Sequence, residues 1–375
     1  METEISRREI GGAQIVVAQG INRVLLSEFK GAFADGAICV VYDEKLKDIS
    51  DGIVFELKRG GYRVSCASAQ AIVNEKDDER DISNIVPEYI RYVFAIGAGT
   101  AAYAAKRIAR ALGIEWSIVL TAPSTDTIMC KNAPKQVFID KNILLNCPVE
   151  CVAAGWGFVL SQQFKNFEEY FAKKVLADGN DLNDIENADK NMDNTELAIK
   201  LLEISAAKKR EDGADIIAQL LRAQAQSQGK KPRLLGEYKF IASSMLTVFY
   251  SSFLGAPSID AMPPACRQRV KAELEALHTD FSKTVKNIDF FDVNSYFRIS
   301  YILSEYRMDL LDKLSGIDVR TTQRFWRRLY PDAGYWLKSE LSQRAVLNAL
   351  SLAGELSDNL LGYAYSTGFT EAFGR

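Results

Sequence analysis

Histidine is almost absent from this chain: His278 is the only one in 375 residues. Neither a three-histidine zinc site nor a two-histidine facial triad can be built from it. His278 follows Ala272-Glu273-Leu274-Glu275-Ala276-Leu277, which reads as a surface helix, so a solvated or capping role is expected for it. Long apolar runs are missing too. No uninterrupted stretch reaches the about 18 residues that a membrane-spanning helix requires. Charge of one sign is not in excess: the net charge is −3, which offers no basic field for nucleic acid or an anionic membrane. Met1-Glu2-Thr3-Glu4 is acidic and polar, unlike the start of a signal peptide. The six cysteines (Cys39, Cys66, Cys130, Cys147, Cys151 and Cys266) are scattered, several within apolar runs. Buried, reduced thiols and a cytoplasmic location are the expectation. Cys147 and Cys151 can share a helix face, but no histidine lies near enough in sequence to complete a metal site.

What is present is the composition of a globular protein, 47% apolar and 25% charged, long enough for two domains. Residues 1–147 alternate short apolar runs with helical stretches, the pattern of parallel βαβ units. Strands are expected at 14–18, 37–42, 62–67, 92–96, 116–120 and 136–139. Helices are expected at 46–59, stopped by Gly60-Gly61, and at 101–112, stopped by Gly113. This domain reads as a doubly wound parallel sheet of the dinucleotide-binding kind. Over 148–375 the strand signal fades and helical periodicity takes over, as in 199–207, 215–226, 241–253, 296–314 and 337–353. That half reads as all-α. The Asp- and Asn-rich stretch 177–194 lacks the spacing of a calcium loop. Lys208-Lys209-Arg210 is followed at once by Glu211-Asp212, the pattern of a solvated helix end.

Three segments of the first domain can carry chemistry. Gly97-Ala98-Gly99 ends an apolar run and opens a helix at Thr100. Glycine there lets backbone approach a pyrophosphate, and the helix start offers N–H groups and a positive dipole end. Glycine at a βα turn also serves packing alone. Asp43 ends a strand, where a carboxylate can accept from ribose hydroxyls or cap the next helix. Thr121-Ala122-Pro123-Ser124-Thr125-Asp126 is a hydroxyl-rich loop after a strand, suited to phosphate or amide contacts, or to a turn with an N-cap.

Taken together these segments resemble the iron-containing alcohol dehydrogenase superfamily, which includes glycerol dehydrogenase, glycerol-1-phosphate dehydrogenase and dehydroquinate synthase. Its glycine-rich signature has three glycines, then an aspartate, then a lysine three residues on. Gly97-Ala98-Gly99-Thr100-Ala101-Ala102-Tyr103-Ala104-Ala105-Lys106 keeps Gly97, Gly99 and Lys106, with Ala98 and Tyr103 as departures. The Thr121–Asp126 run resembles the cofactor and substrate loop, and Phe138-Ile139-Asp140 the strand leading into the interdomain crossing. Ala153-Ala154-Gly155-Trp156-Gly157-Phe158 resembles a run that ends, in the family, on a metal-binding aspartate; here it ends on Phe158. In 231–242, Tyr238 and Ala242 stand where two metal-binding histidines are expected.

The resemblance implies a dehydroquinate synthase-like fold, with NAD or NADP held by Asp43, Gly97, Gly99, Thr100, Lys106, Thr121 and Ser124. It places a polyol, polyol phosphate or sugar phosphate near Asp126, Phe158, Tyr238 and Ala242. It also implies a homodimer, since family members commonly self-associate. No metal is expected, because a phenyl, a phenol and a methyl group offer no ligand set for a divalent ion. Three readings follow: a nucleotide-binding relative without the family reaction, an enzyme with metal-independent chemistry led by Asp126, Tyr238 and Lys239, or a scaffold or regulatory subunit.

Overall fold

The structure, a computed structural model, describes residues 4–30, 37–74, 86–87, 89–176, 191–207, 213–256, 272, 276–277, 293–317, 324, 343–357, 360–367 and 369. The expectations for His278, Cys266, the 208–210 cluster and most of 177–194 lie outside the described residues. Two compact units are present: Met1–Gly155 with Ala188–Lys208, and Trp156–Asn187 with Lys209–Arg375.

The first unit is built on a seven-stranded sheet. The strands are β1 (Ile5–Ile10), β2 (Ala13–Ala18), β3 (Ala37–Tyr42), β4 (Arg63–Ser68), β5 (Ile90–Gly97), β6 (Glu115–Leu120) and β7 (Gln136–Asp140). They lie in the order β1-β2-β7-β6-β5-β3-β4. All neighbours are parallel except β1 and β2, which form an antiparallel hairpin through Gly11 and Gly12. Both glycines have positive φ, 55° and 81°, as a tight turn demands. The hairpin strand β1 was not anticipated. Its Ser6-Arg7-Arg8-Glu9 stretch lacks the apolar run by which the buried strands were recognised, because it lies at a sheet edge with those residues exposed.

Side chains alternate across the sheet and feed two cores. Val93 and Ala95 pack on one face with the alanine-rich side of helix Gly99–Leu112. Tyr92, Phe94 and Ile96 pack on the other with Phe29, Ile53 and Leu57 from the helices Leu25–Lys30 and Lys47–Arg59. Helix Gly99–Leu112 stops at Gly113, whose φ of 63° fits a left-handed cap. Helix Asn194–Ala207 belongs to this unit as well: Ala198, Ile199 and Leu202 join the first core, and the Ser205 hydroxyl accepts from the Met129 N–H at 2.7 Å.

The second unit is helical among its described residues, as the periodicity predicted. Its helices are the part of Val149–Phe171 from Trp156 onward, then Gly213–Ser227, Leu235–Gly255, Val293–Ser315, Gln343–Leu356 and Leu360–Ser366. No helix among the described residues is long and apolar enough to cross a membrane.

Candidate functional site

Strand order reverses between β3 and β5: β3 leads outward to β4, while β5 leads the other way to β6 and β7. Open α/β sheets offer a ligand crevice at such a point, beyond the carboxyl ends of the strands. The register puts Tyr42 beside Ile96 and Gly97 beside Leu120. Asp43, Gly97 and Thr121 therefore stand at one edge of three adjacent strands, and the Thr121 N–H closes the row on the Gly97 carbonyl at 3.0 Å.

The two glycines of this edge have different reasons for being glycine. Gly97 has a φ of 151°, and a Cβ on it would lie 2.7 Å from the Ala101 Cβ. The turn into the helix requires glycine there. At Gly99 a Cβ would meet Thr125 at an ordinary 3.7 Å. The fold itself does not require glycine at that position. Helix Gly99–Leu112 starts from Ala98, which supplies no side-chain cap, so its first N–H groups stay available beside exposed Thr100. Thr125, which the sequence offered only as one of a run of hydroxyls, is the residue that lies against Gly99. Its Oγ1 also meets the Thr127 hydroxyl at 2.9 Å. Ser124 is half-buried, with its N–H on the Ala122 carbonyl at 3.0 Å, while Thr121 and Asp126 are buried.

Two acidic residues at this edge serve local structure. The Asp43 carboxylate accepts from the Lys45 N–H at 3.0 Å and caps the short turn that follows. Asp140 accepts from the N–H groups of Gly20, Ile21 and Asn142, tying the end of β7 to the loop after β2.

Lys106 is half-buried on the helix, and its ammonium donates to the carbonyls of Thr127 at 2.6 Å and Cys130 at 2.5 Å. It thereby anchors the far end of the Thr121–Asp126 loop. Burial pulls its pKa down to about 8. The sign for stability follows from proton counts. Between about pH 8 and the ordinary value of 10.5 the unfolded chain holds more protons at this residue than the folded one. Wild type should therefore gain stability relative to Lys106→Met as pH rises through that window, with the difference flat below it. Urea denaturation of both proteins at pH 7 and pH 9.5 checks this.

In the helical unit, Phe158, Tyr238, Lys239 and Ala242 are all buried. The Tyr238 hydroxyl accepts from the Arg233 N–H at 3.4 Å. Glu237 closes the start of helix Leu235–Gly255 by accepting from the Leu234 N–H at 3.0 Å. The Lys239 ammonium lies 4.7 Å from the centre of the Phe158 ring and forms an ion pair with Asp215 of helix Gly213–Ser227. Asp215 carried no sequence signal. Its partner is on another helix, and only its place on a buried face marks it. Asp126 belongs to the first unit, and Tyr238 and Lys239 to the second. Among the described residues, no group of three or more His, Cys, Asp or Glu side chains is arranged to hold a metal ion.

No family model matches the chain. A curated glycerol-1-phosphate dehydrogenase [NAD(P)+] from Thermococcus kodakarensis is 24% identical over 163 residues, which is 40% of this chain and 46% of that protein. The chain thus spans less than half the length of the curated relative it matches. Among solved structures, 1,3-propanediol oxidoreductase superposes with a TM-score of 0.53 at 11% identity, over 99% of this chain and 100% of that one. An iron-containing alcohol dehydrogenase from Corynebacterium glutamicum gives 0.52 at 12% identity, over 99% and 97%. This chain therefore carries the fold of the iron-containing alcohol dehydrogenases, as the resemblance implied.

Proposed function

We propose that this is a glycerol-1-phosphate dehydrogenase-like protein that binds NAD(P) or a related nucleotide on its α/β unit and has given up metal-dependent polyol oxidation. The single observation that carries the first half is Gly99. The packing of the fold tolerates a side chain there, so the glycine keeps room for a ligand over an uncapped helix start. A pyrophosphate would be held by the N–H groups of Gly99 and Thr100, with Ser124 and Thr125 alongside and Asp43 toward the ribose. Bound NAD(P) supplies hydride chemistry. The chain's own contribution is to position the cofactor: Gly97 sets the turn, and Lys106 holds the loop. That the partial relative is named for NAD(P)+ agrees with this reading.

The second half rests on the donors around Phe158. The ring offers no lone pair, Ala242 offers none, and the Lys239 ammonium already lies over the ring. A divalent ion placed there would meet like charge, so the residues present do not fit a metal. Lys239 is committed to Asp215, and Tyr238 is buried under the start of its own helix. This favours the non-catalytic reading over metal-independent chemistry by that pair.

Calorimetric titration of the full chain with NADH, NADPH and ADP should show saturable binding that weakens about tenfold or more in Gly99→Val. No affinity for any of them would sink the nucleotide reading. Elemental analysis and polyol turnover address the other half. A stoichiometric divalent metal, or chelator-sensitive oxidation of glycerol or its phosphate, would overturn it.

A further inference from the structure

The helical unit carries polar groups where its helix period calls for apolar ones. Along Val149–Phe171, the residues Phe158, Ser161, Lys165 and Glu168 recur at three- and four-residue steps and form one stripe. Ser161, Lys165 and Glu168 on that stripe are only 2%, 6% and 4% exposed. Along Leu235–Gly255, the matching stripe is Gly236, Lys239, Ser243, Leu246 and Tyr250, all buried. Contacts join the two stripes at both ends. At one end, a Cβ on Gly157 would sit 1.9 Å from the Gly236 carbonyl oxygen, and Lys239 lies on the Phe158 ring. At the other, Glu168 accepts from the Tyr250 hydroxyl, and the Phe167 and Tyr250 rings are 5.7 Å apart. Partners advance together along both helices, so the helices run parallel. Ser161 and Lys165 then fall in the stretch opposite Ser243 and Leu246.

The charges at the two ends of this seam are matched. Lys239 pairs with Asp215, and Glu168 accepts from Tyr250 and from the Gly213 N–H at 2.9 Å. Between them, the Lys165 Nζ is buried and has no hydrogen-bond partner among the described residues, and neither has the Ser243 hydroxyl. A buried ammonium is costly unless something pairs with it. Glu168 stands one turn along, but it caps the start of helix Gly213–Ser227, whose positive end already balances its charge. Glu168 thus has partners of its own, and no hydrogen bond reaches the Lys165 Nζ among the described residues.

A point cation and a hydroxyl donor on facing stripes are recognition chemistry for an oxyanion. We propose that the seam between helices Val149–Phe171 and Leu235–Gly255 is an anion site, taking a phosphate or carboxylate group of a small ligand on Lys165 and Ser243. It lies within the helical unit and does not depend on nucleotide binding in the α/β unit.

Thermal melts and calorimetry of the full chain in chloride buffer, with inorganic phosphate and acetate as separate probes, test this. A saturable rise in melting temperature is expected with one of them, and it should persist in Gly99→Val, which blocks the helix start proposed for the nucleotide. The preferred probe tells a phosphate group from a carboxylate. Lys165→Met should melt higher than wild type without anion, since an unpaired buried charge has gone, and should lose the anion-induced shift. Ser243→Ala should weaken anion binding by about tenfold. The proposal is overturned by no saturable shift with either anion, by a shift that Gly99→Val abolishes, or by a shift that Lys165→Met retains. If Lys165→Met does not fold, unchanged affinity in Ser243→Ala overturns it as well. NAD(P) binding that survives in Lys165→Met separates failure of this site from failure of the nucleotide reading.

Discussion

Gly157→Ala is expected to destabilise the helical unit by about 3 kcal/mol or more, the upper end of what overpacking costs. Its Cβ would lie 1.9 Å from the Gly236 carbonyl oxygen and 2.7 Å from the carbonyl carbon. The obstacle is backbone inside a helix, which cannot swing aside as a side-chain tip can. Helices Val149–Phe171 and Leu235–Gly255 would have to separate along the seam that buries Phe158 and Lys239. Gly99→Ala is the control, because its Cβ would meet only Thr125 at 3.7 Å. Alanine within a helix gains up to about 1 kcal/mol over glycine, so that variant should be neutral or slightly more stable. Urea denaturation followed by far-UV circular dichroism compares the two. Equal stabilities would mean that the close crossing at Gly157 does not exist.

Asp215→Leu and Lys239→Met should each cost about 3–5 kcal/mol, because either one removes the partner of the other buried charge. The Phe158 face cannot compensate for the loss of Asp215, since a desolvated cation over a ring gains only about 2 kcal/mol. The double variant Asp215→Leu with Lys239→Met should recover most of that loss, because well-packed apolar pairs commonly replace buried ion pairs at little cost. Denaturation free energies of the four proteins complete a double-mutant cycle. Small, additive losses would show that the pair is not buried as described.

The inner strands were legible because strands buried on both faces appear as short apolar runs, as at Ala37–Tyr42 and Gln136–Asp140. The edge strand β1 was not, since Arg7, Arg8 and Glu9 face solvent. Gly97 and Gly113 could be read as turn glycines because a helix boundary is a local event. What separates Gly97 from Gly99 could not be read: the Ala101 methyl crowds one, and Thr125 leaves room at the other. The resemblance grouped Lys106 with the cofactor residues; that its ammonium also reaches two carbonyls more than twenty residues away could not be read from the sequence.

The sequence by itself determined the two-part architecture and the carboxyl-edge location of Gly97, Asp43 and Thr121. Each of these follows from periodicity or from a turn rule. Only the tertiary structure decided which charges in the helical unit are matched. Helical periodicity puts Ser161, Lys165 and Glu168 on one stripe, but it does not say what faces them. Asp215 reaches Lys239 from a second helix, and Glu168 finds Tyr250 and Gly213 on two others, while Lys165 meets no such partner among the described residues. The reason is physical: the cost of burying a charge is set by the groups brought against it, and those come from distant parts of the chain.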